Sequence, residues 1–168
     1  MRSYTQDELD TLIELSKEIM EPPRKGWAEQ LGHLRNGMRL KSEDGTKQFS
    51  VFMRVNKDFH ENFSIGLIYS PQEGGRDIPL LRYNGPHGEF NRGGPLHTHF
   101  QFHVHRIDAD LLNTEQDPIG KAAETSTYGS CEEAIIHFCQ TVHIRDFEQH
   151  FPTSWQLSFL EPSGEEGT

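Results

Sequence analysis

Residues 81–107 read LRYNGPHGEFNRGGPLHTHFQFHVHRI, and the two ends of this stretch set the kind of fold the chain can adopt. Five of the ten histidines lie in it, and four of them, His97, His99, His103 and His105, fall on odd positions of one run. In an extended strand alternate side chains share a face, so these four and Gln101 point one way. Thr98, Phe100, Phe102, Val104 and Arg106 point the other way. The even set reads as a packing face and the odd set as a titratable one. Between them and residues 78–83, the segment from Asn84 to Pro95 holds four glycines and two prolines, which makes it a long loop. Long ordered loops in small domains are commonly functional. The flanking runs 78–83 and 98–107 are expected to form the two sides of a wide antiparallel hairpin.

Working outward, the same period of two recurs upstream. Phe49, Val51, Met53 and Val55 alternate with Ser50 and Arg54, while Phe63, Ile65, Leu67 and Tyr69 share a face of residues 63–70. In residues 33–42, Leu34, Met38 and Leu40 oppose Arg35, Arg39 and Lys41. Asp44-Gly45 and Gly74-Gly75 supply turns, and short connections favour an antiparallel meander. Helical spacing governs the ends. Thr5 and Glu8 form a capping box ahead of Leu9, Leu12, Ile13, Ile19 and Met20, with Pro22-Pro23 as the stop. Ser130 and Glu133 repeat the pattern ahead of Ala134, Ile135, Phe138 and Val142, and that helix is expected to end near His143. Residues 108–129 suggest only short pieces around Leu111, Leu112 and Ala122, and Trp155, Leu157 and Phe159 suggest an edge strand. The expectation is one α+β domain over residues 1–160: an antiparallel meander of five or six strands with the N-terminal and C-terminal helices packed on one face. Residues 161–168, rich in Glu and Gly, have the composition of a disordered acidic tail.

A chain of 168 residues can bury enough apolar surface to fold as one unit without staples. With 26 acidic against 16 basic residues, it is a poor candidate for non-specific nucleic-acid binding, although a local basic patch stays open. Cys131 and Cys139, eight apart in a helix, lie about 12 Å apart and cannot pair. Reduced thiols, the lack of an apolar run of about 20 residues and an N-terminus without the character of a signal peptide point to a cytoplasmic protein with no membrane partner. Cys131, at the start of its helix, is expected to be the more reactive thiol.

Three kinds of chemistry fit the histidine stretch. A His-x-His strand presents two imidazoles about 6 to 7 Å apart at the backbone, so His97 and His99 could hold a divalent metal such as zinc if a third ligand joined them. His103 and His105 begin about 20 Å further along, too far to share that ion, and read as the solvated continuation of the strand. Paired histidines also serve as general base and general acid near neutral pH. RNA cleavage through the 2′-hydroxyl requires such a pair plus a cation for the phosphorane, which makes His87, His97 and His99 with Arg82 and Tyr83 the candidate catalytic set. The third possibility is a non-catalytic module whose acidic surface docks a protein partner.

Four elements carry a resemblance: MEPP at residues 20–23, YNGPH at 83–87, PLHTH at 95–99 and EEAIIHFCQTVHI at 132–144. With this layout the chain resembles a family of small bacterial proteins built on a domain of unknown function, over most of residues 5–145. It also resembles, more loosely, the TumE-type toxins of toxin-antitoxin pairs. Those show Arg-Tyr-Asp-x-x-Pro-His before Pro-His-x-x-His; this chain has Asn84 in place of the Asp, a turn one residue shorter, and His-x-His. By position, Arg82, Tyr83, His87, His97 and His99 correspond. The first resemblance implies a fold and no activity, and the second implies a toxin role with a cognate, antitoxin-like protein partner; joined to the paired histidines, the expectation is a small bacterial or phage protein, toxin-like, with histidine-based RNA cleavage.

Overall fold

Alternation of apolar and polar residues at a period of two becomes a sheet only when neighbouring strands bring their apolar sets into register. The computed structural model describes residues 2–87 and 101–151, and it shows this alignment. The chain runs α1 (Gln6–Glu14), β1 (Lys17–Glu21), β2 (Ala28–Gln30), β3 (His33–Ser42), β4 (Gln48–Asn56), β5 (Phe63–Ser70), β6 (Ile78–Asn84), β7 (His103–Arg106), α2 (Ala109–Asn113), β8 (Ala123–Glu124) and α3 (Cys131–Thr141). All strand pairs are antiparallel, in the order β1-β3-β4-β5-β6-β7-β8, with β2 also on the edge of β3. The class is α+β, with eight strands among the described residues where five or six were expected. The additional ones are short: β1, β2 and β8 cover edges that periodicity over a few residues does not reveal.

Directly opposed residues of an antiparallel pair share a face. One row runs Met38, Val51, Leu67, Leu81, and another Leu40, Phe49, Tyr69, Ile78, all buried. Both long helices cover this inner face. On α1, Leu9, Leu12 and Ile13 are buried, and Asp10 takes an ion pair at 3.1 Å from Arg106, which stands opposite Leu81. On α3, Phe138 meets the Tyr83 ring edge-on at 5.3 Å. Both capping motifs form: Thr5 and Glu8 cap α1 reciprocally, while Ser130 accepts from the Glu133 amide and Glu133 accepts from the Gly129 amide.

Ile19 and Met20 do not continue the first helix. The helix ends at Glu14, and residues 17–21 pair instead with residues 39–42 of β3, leaving Met20 52% exposed. A free sheet edge offers more hydrogen bonds than a further helical turn, and the sheet wins. Lys17, at the start of β1, is fully buried. Its Nζ donates to the carbonyls of Ile13 (2.8 Å), Leu15 (2.7 Å) and Val142 (2.9 Å), satisfying the exposed C-terminal ends of α1 and α3 together. The expected edge strand at 155–160 and the acidic tail lie outside the described residues.

Candidate functional site

The outer face of the sheet carries the chemistry. Register aligns two rows across five strands: Arg35, Arg54, Ser64, Asn84, His103, and beside it Gly37, Phe52, Gly66, Arg82, His105. At the β6–β7 end the rows meet His87, three residues past β6, where the Gly85 amide still donates to the Phe63 carbonyl at 3.0 Å. A Cβ on Gly85 would fall 1.7 Å from the Glu61 carbonyl oxygen, so only glycine lets the chain pass that close.

His103 is 0% exposed, which overturns its reading as a solvated continuation of the strand. Its neighbours explain why: Asn84 stands opposite in register, His87 packs against the ring, and Tyr128 donates to the backbone carbonyls of Asn84 and His103 from the other side. The hydrogen bonds form a directed chain. Ser64 Oγ lies 2.5 Å from Asn84 Oδ1, a distance that suits O–H···O and turns the amide NH2 toward His103. Asn84 Nδ2 then donates to His103 Nε2 at 3.2 Å, and His103 Nδ1 donates to the Gln101 carbonyl at 2.8 Å. This pattern suits the Nδ1–H tautomer, whose Nε2 lone pair accepts from the Asn84 amide. His87 Nε2 points at that same lone pair from 3.3 Å. His105 stands edge-on to His103 at 5.2 Å and is oriented in the same way, Nδ1 donating to the Gly120 carbonyl at 2.8 Å.

Beside this pair, the Arg82 guanidinium lies 5.9 Å from the centroid of the Phe52 ring. Its Nε is buried and has no hydrogen-bond partner among the described residues. A buried donor left unmade costs about 1–3 kcal/mol, so an acceptor would be favoured there.

Of the residues singled out from sequence, Arg82 stands on the outer face opposite His105, and His87 packs against His103. Tyr83 does not join them, because one step along a strand reverses the face. It is 4% exposed on the helix side, its phenol oxygen 3.0 Å from His137 Nδ1 and 3.1 Å from Thr141 Oγ1, and burial pushes its pKa up. That removes Tyr83 as a donor to the outer face. His97 and His99, both as catalytic candidates and as the metal pair, lie outside the described residues. Asn84, His103 and Ser64 were missed. For His103 the signal was the odd-position series itself; for Ser64 there was none, since a partner 20 residues away is set by register. Cys131 is no reactive thiol: it is buried like Cys139, and burial pushes both up, Cys139 to about 12.

The arrangement is a half-buried imidazole backed by a buried one of fixed tautomer, with a cation alongside. The 3.3 Å between His87 Nε2 and His103 Nε2 also equals the ligand spacing of a tetrahedral zinc site, about 3.3 Å for Zn–N bonds of about 2.0–2.1 Å. Among the described residues, no group of three His, Cys, Asp or Glu side chains is placed to hold a metal ion. No described helix is long and apolar enough to cross a membrane. Comparison with family models, with curated proteins and with solved structures found no match.

Proposed function

We propose that the protein is a toxin-like, cytoplasmic ribonuclease that cleaves RNA through its histidines, and that the His87–His103 cluster is part of its active centre. The observation that carries this reading is the pair itself: a half-buried His87 3.3 Å from a buried His103, on the face that also carries Arg82, whose Nε has no hydrogen-bond partner among the described residues. In the reaction, an imidazole takes the 2′-hydroxyl proton as the 2′-oxygen attacks phosphorus. Arg82 offsets the charge on the phosphorane, and a second imidazole protonates the departing 5′-oxygen, leaving a 2′,3′-cyclic phosphate. His87 is the base in this scheme, oriented by His103, and His97 and His99 are the candidates for the acid. Acid–base steps of this kind contribute about 10²–10⁴-fold each. A cognate antitoxin-like protein would neutralise the activity.

The test is RNA cleavage in vitro and growth arrest on induction. The wild type is expected to show both and the His87→Ala variant to lose at least a hundredfold in rate. A triple alanine variant at His87, His97 and His99 that keeps full activity would overturn the proposal, as would a wild type with neither activity.

The spacing of the two Nε2 atoms favours one second reading, a zinc-binding module. Titrating zinc while following the imidazole NMR signals decides it: stoichiometric zinc that leaves the His87 and His103 signals unmoved removes that reading.

A further inference from the structure

The five central strands β3 to β7 contain none of the chain's 26 acidic residues. Their outer face carries Arg35, Arg39, Lys41, Arg54 and Arg82. At the β1 edge, Glu21 and Glu18 lie 3.7 Å and 3.8 Å from Arg39 and Lys41. In the middle there is no such compensation among the described residues. Arg35 and Arg54, both exposed, stand directly opposite each other across β3 and β4, and neither has an ion pair among the described residues. Arg54 Nη2 donates instead to His33 Nε2 at 2.8 Å. Like charges at directly opposed positions destabilise a sheet, so this pair has a cost that an anion would remove.

Next to the arginines lies an aromatic platform. Phe52 is half-buried between Gly37 and Gly66 in register, and a Cβ on Gly66 would sit 2.1 Å from its ring. The ring therefore lies over the glycine, half-buried on the outer face, with the Arg82 guanidinium 5.9 Å from its centroid. The two rows lead from Arg35 and Phe52 to His103 and His105, over about 14–19 Å at the usual strand spacing.

We propose that this face is the docking track of single-stranded RNA, with Arg35 and Arg54 holding phosphates and Phe52 stacking a base, and that it leads the strand to the histidine cluster. Uncompensated cations with a flat aromatic on an open sheet suit a single strand, whose bases are free to stack. The choice of RNA over DNA rests on the ribonuclease reading, because only RNA has the 2′-hydroxyl that chemistry requires.

The test measures fluorescence anisotropy of a labelled oligouridylate with the full-length His87→Ala protein, which binds without cutting. Arg35→Gln with Arg54→Gln is expected to lower the slope of log affinity against log salt by about 1.4, at about 0.7 per phosphate contact on a single strand. Phe52→Leu is expected to weaken binding about tenfold, and Phe52→Tyr to restore it, as base stacking requires; thermal melts confirm that each variant folds. Full-affinity binding by the arginine and leucine variants overturns the track, as does no binding at all. Equal affinity for the matching single-stranded DNA overturns the RNA assignment, and equal affinity for polyglutamate overturns the nucleic-acid assignment in favour of an acidic protein. RNA binding that depends on these residues, in a wild type that cuts nothing, would uphold the track and overturn the ribonuclease reading.

Discussion

Replacing Asn84 by Asp changes one atom and reverses the logic of the buried cluster. The amide nitrogen that now donates to His103 Nε2 from 3.2 Å becomes a carboxylate oxygen. Two acceptors then face each other in a site that is 5% exposed at residue 84 and 0% at His103. The favourable escape is for His103 to bind a proton at Nε2 while Nδ1 keeps the Gln101 carbonyl. At 3.2 Å and an effective dielectric of about 20, the resulting ion pair attracts by about 5 kcal/mol, much of it offset by desolvation. A carboxylate at such range typically raises a neighbour's midpoint by about 1–3 pH units, worth about 1.4–4 kcal/mol. Sign follows from proton linkage. In the variant the folded state holds the imidazolium proton above the unfolded value of about 6.5, so this stabilisation is complete below that pH and disappears as pH rises through the raised folded midpoint. The gap in stability between variant and wild type should therefore widen by about 1.4–4 kcal/mol between pH 6 and pH 9. Urea unfolding at the two values measures it, and long-range imidazole ¹H–¹⁵N spectra read the tautomer directly. A variant whose His103 carries only the Nδ1 proton at pH 6, or whose stability gap is the same at both values, refutes the hydrogen-bond chain from Ser64 to Gln101.

Three further outcomes are expected. Lys17→Met leaves three carbonyls without a donor, and after the relief of burying a cation it should lower stability by about 3 kcal/mol in urea titration. Burial pushes the Lys17 ammonium down to about 7, so the unfolded chain binds the extra proton between that value and the ordinary 10.5; wild-type stability relative to Lys17→Met should rise with pH across that window. Gly85→Ala drives a methyl into the Glu61 carbonyl and should shift the His87 signals or cost more than 2 kcal/mol, roughly the scale of overpacking; an unchanged spectrum and melt would count against the close approach. Cys131 and Cys139, both buried with their thiols pushed up, should react with a thiol reagent only at the unfolding rate, and fast labelling of either in the native protein would contradict their placement.

Much of the fold was legible because local patterns and tertiary packing agree. Strands β3 to β6 are long enough for alternation to declare itself, and the capping residues Thr5 and Ser130 mark helix starts by a mechanism contained within four residues. Reading failed where long-range pairing decides the local state. Residues 17–21 have a helical stripe and become a strand because β3 offers them an edge. At the site, Arg82 and His87 were found by residue type, whereas Tyr83 needed the knowledge of which face of β6 is the inner one.

The sequence by itself determined the period of two, the faces it sorts residues into, and the glycine and proline loop that separates two histidine-bearing segments, since all of these follow from the geometry of consecutive residues. The tertiary structure alone decided that Ser64, Asn84 and His103 form one hydrogen-bonded row, that His103 is buried, and that Arg35 and Arg54 confront each other with no ion pair among the described residues. The physical reason is register: it is set by the packing of a whole sheet against α1 and α3, and shifting any one strand by a single residue would turn that strand's member of these rows to the opposite face.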